Sequence, residues 1–195
     1  MITYIKGKLV EKNPAYLVIE TPGGVAYYIH ISLNTFSKLG DAEEIRIFTH
    51  YVIKEDAHAL YGFFDETERT LFRLLISVNG IGPNTACIIL SALSPNELVA
   101  AISGEDAKTI QSIKGIGTKT AQRLILDLKD KTAKMQTGVD KIPGTYNNNK
   151  NEALSALVSL GFAKNAADGV LDKILKSEGT ELSIEDLIKK ALKLL

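Results

Sequence analysis

A chain of 195 residues has room for one large domain or two to three small ones, and is too short for a large multidomain enzyme. Hydrophobic residues at 45% and charged residues at 24% exclude wholesale disorder, and no apolar run approaches the length that spans a bilayer. The 23 basic side chains balance 23 acidic ones, which argues against a uniformly basic surface but leaves local asymmetry open.

Before Asp65 the apolar pattern has period two, in short segments rich in Val, Ile and Tyr. It predicts five strands, roughly Ile2–Val10, Tyr16–Thr21, Val25–Ser32, Glu44–Lys54 and His58–Phe63, with a short helical turn at Thr35–Leu39. Five strands with one small helical insertion suggest an OB-type barrel; a small sandwich or an SH3-like barrel fits the same alternation. From Asp65 the period changes to 3.6, and helices are expected over Thr67–Val78, Thr85–Leu93, Pro95–Ser103, Ala107–Ser112 and Thr118–Lys131, with Ser94-Pro95 and Glu97 as a start signal. Turn formers and polar residues fill 137–150, the best linker candidate. Beyond it, Asn151–Leu160, Lys164–Ser177 and Ser183–Leu195 read as a three-helix module, the last opening with a capping box of Ser183 and Asp186. The expected class is therefore α+β and multidomain, with domains at 1–64, 65–136 and 151–195.

One internal repeat stands out. Residues 78–90, Val-Asn-Gly-Ile-Gly-Pro-Asn-Thr-Ala-Cys-Ile-Ile-Leu, match residues 113–125, Ile-Lys-Gly-Ile-Gly-Thr-Lys-Thr-Ala-Gln-Arg-Leu-Ile. In each copy one helix ends, the chain turns through Gly-Ile-Gly, and a second helix starts: a helix-hairpin-helix motif. Gly80 and Gly115 suit the positive φ that closes a helix, while Gly82 and Gly117 leave the backbone bare for close approach. Ile81 and Ile116 are expected to plug inward, and Ala86 and Ala121 to let the paired helices pack closely. The hairpin tip then presents unpaired amides at a helix N-terminus, a place for a backbone phosphate with no base being read. The candidate DNA-contacting set is Gly80, Ile81, Gly82, Asn84 and Thr85 in the first copy, and Gly115, Ile116, Gly117, Lys119, Thr120 and Arg123 in the second. Neither copy has the spacing of a nucleotide P-loop.

Charge adds to this. Between Ala107 and Lys134 stand Lys108, Lys114, Lys119, Arg123, Lys129, Lys131 and Lys134 against Asp127 and Asp130 only. Lys119 and Arg123 lie four apart on one helical face just past the second tip, where they could flank one phosphate. Asn84 stands where the second copy has Lys119, so the first contact is expected to be weaker. His30, His50 and His58 are scattered and Cys87 is single, so no disulfide, metal site or cofactor is expected, and Cys87 reads as a packed thiol. The N-terminal residues lack the features of a signal peptide, so a cytoplasmic location and no membrane association are expected.

Several further stretches make the whole chain similar to a known family. They are Met1-Ile2-x-Tyr4-Ile5-x-Gly7, Lys54-Glu55-Asp56-Ala57 leading into Leu60-Tyr61-Gly62-Phe63, Glu68-Arg69-Thr70-Leu71-Phe72, and Glu152-Ala153-Leu154 to Leu160-Gly161-Phe162. With the paired hairpins, they resemble the RuvA family of Holliday-junction branch-migration subunits. The resemblance implies a homotetramer that holds a four-way DNA junction open, with a second tetramer able to complete an octamer, and a role in recombination, DNA repair and the SOS response to DNA damage. It implies that Glu55 and Asp56 form an acidic pin at the junction centre, where four copies would set about eight negative charges against the phosphates. It also implies that the C-terminal module is a UBA-like bundle docking on RuvB, the hexameric ATPase, through Leu157, Leu160 and Leu192, and that the RuvC resolvase is a further partner. The chain itself would then be non-catalytic. Two rival readings remain at this level. One is an enzyme, a nuclease subunit, ligase or glycosylase, which needs a catalytic acid cluster or lysine near the hairpins, where Asp127 and Asp130 lack a third carboxylate. The other is a general duplex-DNA repair factor or single-strand binder, the latter using exposed barrel aromatics, of which Tyr27 and Tyr28 form an adjacent pair.

Overall fold

The computed structural model describes residues 2–136, 145–178 and 182–195, and the chain divides into two compact units, Met1–Thr137 and Gly138–Leu195. The first unit opens with β1 (Tyr4–Asn13), β2 (Tyr16–Glu20) and β3 (Ala26–Ile31), then α1 (Leu33–Lys38), β4 (Glu44–Ile53) and β5 (His58–Phe63). The strands close into a barrel in the order β1-β2-β3-β5-β4, with β3 and β5 parallel and the remaining pairs antiparallel. That closure, with a helix between β3 and β4, is the OB arrangement, and it sets aside the sandwich and SH3-like alternatives. Alternation along each strand sends Ile5, Leu17, Ile19, Ile29, Ile47 and Leu60 inward to a common core. A bulge between Leu9 and Glu11 lets β1 bend and pair with both β4 and β2, carrying the strand on to Asn13, past the expected end at Val10. At Gly62 a Cβ would stand 2.6 Å from methyls of Ile29 and Ile47, so only glycine lets β5 approach this closely.

Helices α2 (Glu66–Ile76), α3 (Pro83–Ala92), α4 (Pro95–Ser103), α5 (Ala107–Gln111) and α6 (Thr118–Gln136) follow. Their starts are chemically marked: the Asp65 carboxylate accepts from the Glu68 amide at 2.8 Å, and Ser94 and Glu97 form a complete capping box. Leu71, Phe72, Leu75, Ile89, Leu98, Ile102 and Leu124 are fully buried between them. Strand β5 serves both cores. Leu60 faces the barrel interior, whereas Tyr61 and Phe63 on the opposite face pack on Phe72, with ring centroids 5.1 and 4.9 Å away. Each buried phenylalanine is worth about 1.5–3 kcal/mol, so this shared strand welds barrel to helices.

Helix α1 adds a polar clamp. Leu33 donates its amide to Ser91 Oγ (3.1 Å), and Asn34 Nδ2 donates to the carbonyls of Leu90 and, at 3.0 Å, Leu93. Glu68 of α2 is completely buried and receives hydrogen bonds from the hydroxyls of Ser32 and, at 2.8 Å, Thr35, while Thr35 Oγ1 itself accepts from the Phe64 amide at 3.0 Å. Burial pushes the Glu68 carboxyl above the usual carboxylate range, against the pull of those two hydroxyl donors.

The second unit contains α7 (Thr145–Ser159), α8 (Lys164–Glu178) and α9 (Ile184–Ala191) around Ala153, Leu157, Ala167, Leu171, Ile174 and Leu187. Two expectations change here. The segment 137–150 is not linker throughout, because residues 145–150 form the first turns of α7; residues 137–144 lie outside the described part. Polar residues hold a helix there because they have partners across the bundle: Asn149 donates to the Leu182 carbonyl (3.1 Å), and Lys150 bridges Asp168 (2.8 Å) and Asp172 (2.6 Å). At the start of α9, Ser183 Oγ accepts from the Asp186 amide at 3.1 Å, but the Asp186 carboxylate receives the Ser183 hydroxyl rather than its backbone amide, since an aspartate is one methylene short of the full box.

Replacing Glu68 tests the clamp. Glu68→Ala strands two buried hydroxyls and should lower unfolding free energy by about 2–4 kcal/mol in urea denaturation. The folded chain holds the Glu68 proton more tightly than the unfolded chain does. Glu68 therefore favours the fold most below its unfolded value, and that contribution is lost as pH rises through the raised folded value. The stability of the wild type relative to Glu68→Gln should accordingly fall as pH is raised from 4 towards neutrality.

Candidate nucleic-acid interface

The two Gly-Ile-Gly turns have the same geometry. Gly80 has φ +93° and Gly115 φ +92°, the left-handed conformation that reverses the chain after α2 and α5. Ile81 donates its amide to the Val78 carbonyl and Ile116 to that of Ile113, each at 3.1 Å. Their side chains are buried, as are Ala86 and Ala121 beneath them. Ile81 and Ile116 are therefore plugs with satisfied amides and hold the turn, so as direct DNA contacts they are corrected: neither side chain nor N–H is available to a phosphate.

The free amides lie one step further on. Gly82 caps α3 without a side-chain bond, and a Cβ on Gly82 or Gly117 would meet nothing within 4 Å, so both tips are open. In the second hairpin Gly117, Thr118, Lys119 and Thr120 have no intrahelical acceptor, and the first amide drawn into α6 is that of Ala121, bonded to Gly117 O at 3.0 Å. The first hairpin offers one amide fewer, because Pro83 occupies the position of Thr118. Lys114, Lys119 and Arg123 are exposed around the second tip and form no ion pair among the described residues. Lys129 is different: it pairs with Glu105 and is withdrawn from the basic stretch. The side chain of Lys134 lies outside the described part.

The first tip is tethered instead of charged. Tyr61 Oη donates to Asn84 Oδ1 at 2.6 Å, joining α3 to β5. Sequence reasoning noted Tyr61 but gave it no role; strand alternation places it opposite Leu60, facing the helices, which is the signal that would have found it. Cys87 sits on the inner side of α3, its thiol pushed up to about 12 by burial, consistent with a packed thiol. His30 and His50 are likewise packed against rings, Tyr61 and Phe72, and burial lowers both below the usual imidazole value.

The third feature is the β4–β5 turn. Lys54 N donates to Ala57 O at 2.9 Å, and Glu55 and Asp56 project from the turn, exposed and without a cationic partner among the described residues. Helix α2 runs along β4 towards this tip: Arg69 lies over the Phe48 ring at 5.1 Å, and Arg73 Nε approaches His50 Nδ1 at 3.4 Å, two residues nearer the turn. The first Gly-Ile-Gly turn, which follows α2, thus points to the same end as the acidic tip. The open hairpin tips and the unpaired acidic turn are built into one unit.

In the second unit Leu160 is 61% exposed and Leu192 44%, whereas Leu157 is fully buried. Leu157 is core, not a docking contact, because its position on α7 faces α8 and α9; the exposed apolar residue beside Leu160 is Val158, at 42%.

Family models match the chain in this same order: the RuvA N-terminal domain over 1–62, a SAM-like helix-hairpin-helix tandem over 72–130, and the RuvA C-terminal domain over 148–195. A protein of Christiangramia forsetii, the Holliday junction branch migration complex subunit RuvA, is 53% identical over 99% of both chains. The chain belongs to the RuvA family. Proteins of the same description from Cytophaga hutchinsonii and Flavobacterium psychrophilum are 50% and 48% identical, over 100% and 99% of both chains. This RuvA-family chain therefore spans the length of its relatives, and its hairpin tandem is the part matched by a general helix-hairpin-helix model rather than by a RuvA-specific domain.

The interface makes a measurable demand. Lys119→Ala should weaken DNA binding at low salt and reduce the log–log salt slope by about 0.9, one phosphate contact, in titrations from low to physiological salt. Lys129→Ala, whose cation is already paired, should change the slope far less.

Proposed function

We infer that this chain binds four-way DNA junctions by their shape and serves as the DNA-binding subunit of a branch-migration complex in recombination and repair. The observation that carries the reading is the presence, in one compact unit, of two open hairpin tips and an acidic turn unpaired among the described residues, within a chain that matches RuvA subunits along its length. The hairpin amides and the cations Lys114, Lys119 and Arg123 attract backbone phosphates without reading bases. The Glu55–Asp56 tip repels them, so a straight duplex laid across the surface is penalised, whereas a junction whose arms diverge around the tip is not.

The same reading places four copies around the junction, with a second tetramer completing an octamer on the opposite face. It assigns no catalytic step to this chain: ATP hydrolysis belongs to a RuvB-type hexameric motor, engaged through the exposed Leu160, Val158 and Leu192 of the second unit, and strand cleavage belongs to a RuvC-type resolvase. No cofactor enters the reading, and its setting is the cytoplasm, where the chromosome lies. Short polar segments between modules suit such an arrangement, since a motor can then be held without loading the junction-bound unit.

Competition gel shifts check the central claim. The protein should prefer a four-way junction to linear duplex of the same sequence by at least about tenfold, equivalent to roughly 1.4 kcal/mol of shape discrimination. Equal affinities would defeat the reading, and cleavage of a labelled junction in Mg²⁺ would favour a nuclease instead. Replacing both tip carboxylates, Glu55→Gln with Asp56→Asn, should leave junction binding intact or tighter while narrowing the preference over duplex. A large loss of junction affinity would contradict a repulsive tip.

A further inference from the structure

The β4–β5 hairpin has two unlike faces. On one, Val52 and Ala59 pack against the helical core, which holds the hairpin stiffly in place. On the other stand Tyr51, Ile53 and His58. Ile53 and His58 are direct cross-strand partners, and Tyr51 pairs with Leu60, one step down the same face. Tyr51 Oη and His58 Nδ1 are 2.7 Å apart, with the two rings edge-on at 5.6 Å and 85°. The phenol thereby fixes the orientation of the exposed imidazole, and Nε2 is left with no partner among the described residues. Ile53, 66% exposed, is one of the most exposed large aliphatic side chains in the first unit, and it stands two residues before the acidic tip.

We propose that this open face, Tyr51, Ile53 and His58, is a nucleobase-contacting site that receives an unpaired base at the crossover of the junction. The inference rests on the junction-binding reading above and extends it from phosphates to bases. Charge selects the occupant. Glu55 and Asp56 beside the face repel backbone phosphates, and they equally repel the acidic tip of a second copy; the neutral bases are the part of the junction that they do not repel. Their oxygens can accept from exocyclic amino groups. The residue types suit a separated base: an aliphatic side chain is the kind that wedges between base steps, and a fixed ring is the kind on which a splayed base stacks. Nε2 then faces the base edge as a donor or acceptor, according to the tautomer that the Tyr51 bond selects. The tip separates strands by charge, and the face beneath it stabilises what separation exposes.

Photocross-linking of the full-length protein to a synthetic four-way junction tests this. With 5-iododeoxyuridine at the crossover, irradiation should link the DNA to Tyr51 or His58, and the same base placed mid-arm should not. His58→Ala combined with Ile53→Ser should remove the His58 cross-link, leave at most a weak one to Tyr51, and raise the junction Kd by about fivefold or more, the loss expected for one stacked base. His58→Phe, which keeps a ring, should retain most of the affinity. Selective junction binding with no cross-link to these residues would overturn the proposal while leaving the junction reading intact. So would sedimentation showing that the double variant changes the number of copies in the free protein, since the face would then be a contact between subunits. Failure of the wild type to prefer junction over duplex would remove both.

Discussion

Everything that the first unit presents to DNA depends on the join between barrel and helices, and at the centre of that join a single carboxylate is wholly buried. Glu68 ties α2 to the β3–α1 corner through Ser32 and Thr35, and Thr35 passes the connection on to the backbone of Phe64. A fully buried carboxylate with no ion pair among the described residues is costly, and here two hydroxyl donors offset part of the cost. What results is geometric. Tyr61 and Phe63 packed on Phe72 and Asn34 bonded to the end of α3 constrain the angle between barrel and hairpin tandem. The acidic turn belongs to the barrel and the hairpin tips belong to the helices, so this join sets the separation between them.

The formal neutrality of the chain follows a similar logic. A basic surface would attract any duplex, and its affinity would carry little information about shape. On the proposed reading attraction rests on backbone amides and on the exposed Lys114, Lys119 and Arg123, while the exposed Glu55 and Asp56 on the β4–β5 turn have no cationic partner among the described residues. Lys129, which a count of charges places with the basic group, is already neutralised by Glu105. On that reading selectivity comes from where opposite charges are mounted on one compact unit, and a net value near zero fits it.

How much of this the sequence carried depends on the range of the interaction. The hairpins were legible because their determinants are local and repeated: a positive-φ glycine, a buried isoleucine and a small residue one turn into the next helix recur at the same spacing. The barrel was legible through alternation, and α4 through its capping box. The features that escaped are those decided by tertiary partners. Asn149 and Lys150 look like loop residues until Leu182, Asp168 and Asp172 are brought alongside, and Leu157 looks like a surface contact until α8 and α9 close over it. Glu68 could not be recognised as a buried node from the amphipathic pattern of α2, since charged residues on a helix are ordinarily solvated.

The two hairpins, so alike in backbone, have diverged in how each is held. The second has exposed cations and four amides without an intrahelical acceptor, and its α6 packs on α4 with Lys129 paired to Glu105. The first has no charge between Asn79 and Ala92, one amide fewer because of Pro83, and a hydrogen bond from Tyr61 that anchors Asn84 to the strand leading out of the acidic turn. A cation at that position would gain phosphate affinity, but it would leave Tyr61 Oη buried against α3 without an acceptor. Asn84 therefore gives up a charge for a tether to β5. Because both tips belong to one compact unit, the proposed reading gives the second the salt-dependent share of affinity and the first a part in which DNA shape the second can reach.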